Sequence, residues 1–160
     1  MSESERSGLR AAHRPRPILD ADSVEVVRPE EALQRLRTAK VARLATITPR
    51  DRPHLVPCCF ALAGQVIYSG IDGKPKSGGT LQRVVNLRTR SFFTLLVDHY
   101  DEDWSELWWV RVDGRGRIVD DEHERDTAVR LLMEKYSQYG DVPIPGPVLA
   151  LDIEAVTSWP

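Results

Sequence analysis

VARLATITPRDRPHLVPCCFALAGQVIYS, residues 41–69, decides the fold class. Its first eight residues are apolar and β-branched at period two, the pattern of a half-buried strand. Pro49, Arg50, Asp51 and Arg52 make a polar turn, and the run from Pro53 to Ala61 reads as a returning strand. Gly64-Gln65 then turns the chain tightly into Val66-Ile-Tyr-Ser. The stretch therefore reads as an antiparallel meander. Pro57 lacks an N–H for a ladder, so its strand has to lie at a sheet edge or carry a bulge.

Outward from this stretch the elements alternate in kind. Pro29 fits the first position of a helix, with Glu30 and Glu31 at the positive end of its dipole, and the helix is expected to reach about Lys40. Residues 1–28, rich in Ser, Arg, Glu and Pro, read as a tail, which leaves one domain over 29–160. GIDGKPKSGG, residues 70–79, is a loop, and Thr80 is placed to cap a short helix through Leu81, Val84, Val85 and Leu87. SFFTLLVD predicts a strand, HYDEDWSE an acidic loop, and LWWVRVDGRGRIVDD a long strand or hairpin that Gly114 and Gly116 allow to bulge. Residues 121–139 have helical spacing, and VLALDIEAVTSW closes the chain as a strand. The fold class expected is mainly β: about six antiparallel strands in a small barrel with flanking helices.

The chain has 160 residues, enough for one sizeable core. A net charge of −2 excludes a general nucleic-acid binder, which needs a basic surplus. No apolar run approaches the ~20 residues of a membrane-spanning helix. The opening residues lack the apolar core of a signal peptide, so the expected location is cytoplasmic. Adjacent Cys58 and Cys59 are poorly placed to bridge each other, and face opposite ways on a strand.

Chemistry-bearing residues are sparse. Only four of the 22 basic residues are lysines, and Lys74 and Lys76 share the glycine-rich loop. With Arg83 one turn into the following helix, they form a candidate anion site of the kind that holds a phosphate. The same composition also fits a plain solvated loop, and no Walker spacing is present. Cys58 or Cys59, with His54 or His99 as base, would make a nucleophile only if exposed. The acidic run Asp98, Asp101, Glu102, Asp103 and Glu106 lacks the order of a calcium loop. His13, His54, His99 and His123 have no zinc-like spacing. Tyr100, Trp104, Trp108 and Trp109 cluster within ten residues, as at an interface or beside a planar ligand.

The order of "LATI…RPHLVP", a strand ending before a basic loop, Arg83 with Asn86-Leu87-Arg88, and "LVDHYDEDW…WWVRVDG" resembles the split-barrel flavin and deazaflavin superfamily, which includes the pyridoxamine-phosphate-oxidase-like proteins. It is most similar to the branch that uses the deazaflavin coenzyme F-420. The resemblance covers about residues 29–160. It implies a six-stranded split barrel that forms a homodimer with cofactor at the interface. It places Arg83 on the cofactor phosphate, Lys74 and Lys76 near the phosphate and tail, and His54, Val56, Pro57, Cys58, Ser69 and Gly70 along the ring system. Trp104 matches a family tryptophan beside the cofactor. The reaction implied is hydride transfer between coenzyme F-420 and a conjugated organic small molecule. The alternatives are an FMN-dependent enzyme of the same fold and a non-catalytic flavin- or deazaflavin-binding protein. Tyr68, Tyr100 and His99 are the candidate proton donors.

Overall fold

The computed structural model describes residues 29–71 and 81–159; the expected tail over 1–28, and Lys74, Lys76 and Thr80, lie outside the described residues. Helix α1 (Pro29–Thr38) is followed by strands β1 (Ala42–Ile47), β2 (Pro53–Cys58), β3 (Ala61–Ala63) and β4 (Val66–Gly70). Helix α2 (Gln82–Thr89), strands β5 (Phe92–His99) and β6 (Trp108–Ile118), helix α3 (Glu122–Lys135) and strand β7 (Val148–Trp159) complete it. The seven strands form one antiparallel sheet in the order β2-β1-β5-β6-β7-β4-β3.

That order corrects the meander. β1 pairs with β2 and β3 pairs with β4, but β2 and β3 occupy opposite edges of the sheet. Only Cys59 and Phe60 join them. Three Cα steps of 3.8 Å span at most about 11 Å, so the sheet must curl until its edges nearly meet. The barrel thus follows from a two-residue link.

It also explains why there are seven strands rather than six. The expected strand 53–61 breaks at Phe60, whose side chain is fully buried. Phe60 N–H donates to the Tyr136 hydroxyl (3.0 Å), which in turn lies within donating distance of the Phe60 and Lys40 carbonyls (2.9 and 3.0 Å). A side chain from the end of α3 has replaced a ladder partner. Pro57 meets the expectation for it: β2 is an edge strand, and Pro57 stands opposite Arg43 of β1.

The remaining elements follow their local chemistry. Gly64 adopts φ +57° in the β3–β4 turn, where a side chain is disfavoured. β6 is one strand and not a hairpin, with a register shift at Asp113/Gly114; a Cβ on Gly114 would collide with the Asp152 carbonyl across the sheet. α3 starts at Asp121, whose carboxylate accepts from Glu124 N–H (2.7 Å). Helix α2 begins with Leu81 at its N-cap position and no side-chain cap, rather than with Thr80.

Two apolar cores result. The barrel core joins Leu44, Phe60, Ile67, Leu95, Val112 and Leu151 with Val84 and Leu87 of α2. A second packs Ala128, Leu132 and Tyr136 of α3 onto the other face of β3, β4 and β7. Among the described residues, no helix is long and apolar enough to cross a membrane.

Candidate functional site

The inner face of β2 carries His54, Val56 and Cys58, because alternate strand residues share a face. Pro57 lies on the opposite, exposed face with Leu55. Ser69 and Gly70 divide in the same way. Ser69 is buried beside Cys58, its hydroxyl donating to the Cys59 carbonyl (2.8 Å). Gly70 packs under Ile144 and Leu132 in the second core. The structure therefore brings His54, Val56, Cys58 and Ser69 together, and turns Pro57 and Gly70 away from them.

Helix α2 is locked to this region by a buried polar chain. Gln82 donates to the Asn86 carbonyl oxygen (2.7 Å), and the Asn86 amide donates to the Thr46 hydroxyl (2.9 Å) on β1. Asn86 and Thr46 are both buried, so each depends on the other for hydrogen bonding. The lock orients α2 and with it Arg83, whose guanidinium is near enough to Cys58 to pull its thiol pKa down.

Two buried side-chain nitrogens have no hydrogen-bond partner among the described residues: His54 Nδ1 and Arg83 Nε. Leaving a buried donor unsatisfied costs about 1–3 kcal/mol, more for a charged group, so such atoms mark places where a ligand completes the structure. Among the described residues no carboxylate pairs with Arg83 either. A fixed guanidinium with an open Nε–H suits a phosphate oxygen, and the residues present fit a phosphate-bearing cofactor on that ground.

The other candidates are accounted for by the structure. Burial pushes the Cys58 thiol up to about 11, against the opposing pull of Ser69 and Arg83, so it holds its proton at neutral pH. Cys58 and Cys59 are unbridged. Tyr68 donates to Glu124 (2.9 Å) outside the barrel core, and burial with that bond raises it to about 12. His99 stacks on Trp108 at 5.9 Å and approaches Asp101. Three members of the acidic run have partners: Asp98 pairs with Arg43 (2.7 Å), Asp101 accepts from Asp103 N–H (2.9 Å), and Asp103 caps the 3-10 turn Trp104–Glu106. No group of three or more metal-ligating side chains occurs among the described residues. On that turn Trp104 stands 72% exposed, and Tyr100 beside it 66%.

Sequence reasoning passed over Lys40, Lys135 and Tyr136. They line a separate cleft of about 500 Å³ with Cys59. Their signal was there in part, since these are the two lysines outside the glycine-rich loop.

A family model described as pyridoxamine 5'-phosphate oxidase matches residues 28–157. The chain belongs to that family. Among solved structures, a conserved hypothetical protein of Mycobacterium tuberculosis is 21% identical, with 84% of this chain and 85% of that chain covered at a TM-score of 0.70. A FAD-binding protein of Mesorhizobium loti is 21% identical over 85% of this chain and 95% of that one, TM-score 0.62. A haem-binding protein of Mycobacterium smegmatis is 19% identical over 82% of this chain and 54% of that one, TM-score 0.65. At these identities the likeness is one of fold. No curated protein sequence matches the chain. The family's split barrel is the curled sheet seen here.

Proposed function

We propose that this pyridoxamine-phosphate-oxidase family member is an oxidoreductase that transfers a hydride between coenzyme F-420 and a conjugated organic small molecule. The carrying observation is the buried Arg83 Nε, without a hydrogen-bond partner among the described residues, on a helix locked to β1. Arg83 holds the cofactor phosphate, with Lys74 and Lys76 of the adjoining loop assisting. His54, Val56, Cys58 and Ser69 border the ring system, and the unpartnered His54 Nδ1 offers it a polar contact. When bound, the cofactor supplies the redox chemistry, while the chain supplies binding, orientation and exclusion of water. This division of labour agrees with a site whose thiol is held protonated.

The functional unit proposed is a homodimer. The outer side of β2, β1, β5 and β6 presents Leu55, Leu96 and Trp109 between the ion pairs Arg43–Asp98 and Arg111–Asp113. A second copy would cover that face and bring its own Trp104 towards the cofactor.

A second reading, the same fold with FMN or another flavin, is favoured by the FAD-binding name of a structural neighbour. Parallel fluorescence titration with coenzyme F-420 and FMN separates the two. The F-420 reading expects saturable binding that Arg83→Ala weakens at least tenfold. FMN binding without response to F-420 reverses the assignment. Binding of either without turnover on any quinone or enone makes the chain a non-catalytic carrier.

A further inference from the structure

We propose that the cleft between the C-terminal ends of α1 and α3 binds a small organic anion with a flat apolar body, at a site separate from Arg83. The cleft is about 500 Å³, within the range of small-molecule sites, and its polar groups converge. Lys40 Nζ donates to the Lys135 carbonyl (2.8 Å), and Lys135 Nζ reaches the Leu36 carbonyl (3.4 Å). Each lysine thus caps the other's helix at the end where the dipole favours a cation.

That capping role does not exhaust either group. An ammonium has three donors, and each spends one on a carbonyl. No carboxylate pairs with either lysine among the described residues, although the outer sheet face supplies partners for its arginines. Two ammonium groups therefore share one cleft without a carboxylate partner among the described residues, and the Lys40 charge weakens Lys135's hold on its proton. Burial is the larger cause of that shift.

The walls select the rest of the ligand. Both ammonium groups lie over the Tyr136 ring, at 5.4 and 5.6 Å, and Lys135 lies 3.9 Å from the Phe60 ring centroid. The Tyr136 hydroxyl is fully engaged with the Phe60 and Lys40 backbone, so its ring is a fixed surface and not a mobile one. Val41 and Val142 supply further apolar wall. An acid group between the lysines and an aromatic body along Tyr136 satisfies both halves. Cys59 stands at the edge of the cleft, one residue from Cys58 but on the other side of the strand, and so reports on occupancy.

The test uses 1-anilinonaphthalene-8-sulfonate, a flat aryl sulfonate, with the full-length protein. Saturable binding of one probe per chain is expected, weakened at least tenfold in Lys40→Gln and in Lys135→Gln, largely retained in Lys135→Arg, and unchanged in Arg83→Ala. Bound probe should slow alkylation of Cys59 by iodoacetamide at least threefold, read by mass spectrometry. Circular dichroism establishes that each variant is folded. Equal affinity in the folded lysine variants, loss of binding in Arg83→Ala, or unprotected Cys59 at saturation would overturn the proposal.

Discussion

The outer face of the sheet and the two sides of the Cys58–Cys59 link treat positive charge in opposite ways. On the outer face each arginine has a carboxylate: Arg43 with Asp98, Arg111 with Asp113, Arg115 with Glu154, and Arg117 with both Glu124 and Asp152. Arg117 and Glu124 reinforce each other, the arginine's pKa raised and the carboxylate's lowered by their shared hydrogen bonds. On one side of the link Arg83 is left with an open buried nitrogen, and on the other Lys40 and Lys135 have only carbonyls. The difference teaches where to look for ligands. A chain with 24 acidic side chains has the means to neutralise its cations, and the ones left without a carboxylate among the described residues are where we propose that an incoming anion completes the arrangement.

The comparison breaks most completely if the link itself is disturbed. Tyr136→Phe removes the hydroxyl that serves Phe60 N–H, leaving a buried donor unpaired, and should cost about 1–3 kcal/mol. The urea midpoint should fall, and both proposed ligands should weaken together, because the Cys59-Phe60 link that Tyr136 holds connects β2 to the lysine cleft. If only the lysine cleft is affected, the two regions are mechanically independent.

Arg83→Ala sharpens the contrast next. A tenfold loss of cofactor affinity corresponds to about 1.4 kcal/mol. With no partner to orphan among the described residues, the variant should unfold at nearly the same urea concentration as the parent. A large stability loss with unchanged affinity would make Arg83 a structural residue.

Lys135 gives a pH test. Burial first, and then Lys40, lower its pKa to about 8, against 10.5 for an ordinary lysine. Below pH 8 the amine is charged in both folded and unfolded states, and the full penalty of burying the charge is present. Between pH 8 and 10.5 the folded protein releases this proton first, so this group's contribution to stability rises with pH. Cys58, held up at about 11, acts in the opposite sense over much of that window. The readout is therefore the difference between parent and Lys135→Met, which should narrow in the variant's disfavour from pH 7 to pH 9.5 in paired urea titrations. A constant difference would show that the ammonium is effectively solvated.

The smallest effect is expected on the paired face. Arg115 and Glu154 are about half exposed, and Arg115→Ala should change stability by no more than about 1 kcal/mol and leave ligand binding unaltered. A larger change would mean that this face is buried against a second copy.

Much of this architecture was legible in the residues. Pro29 with two acids marked α1, Gly114 and Gly116 allowed a bulge, and Pro57 demanded an edge strand or a bulge, because each is a local steric or hydrogen-bonding rule. Cys58 and Cys59 were separable by strand alternation alone. Less visible was the break at Phe60, since nothing local says that a tyrosine 76 residues away will accept its N–H. The same holds for Pro57 and Gly70: the motif placed them with His54 and Ser69, and strand parity separates them.

By itself, the sequence determined a mainly β chain with flanking helices, an edge or bulged strand at Pro57, and an arginine ahead of Asn86-Leu87-Arg88, because periodicity, glycine and proline act over a few residues. Only the tertiary structure decided that the sheet closes through two residues, that the Arg83 Nε is buried without a hydrogen-bond partner among the described residues, and that Lys40 meets Lys135. Those outcomes depend on contacts between residues far apart in the chain, and on which charges are left over once the nearer pairs have formed.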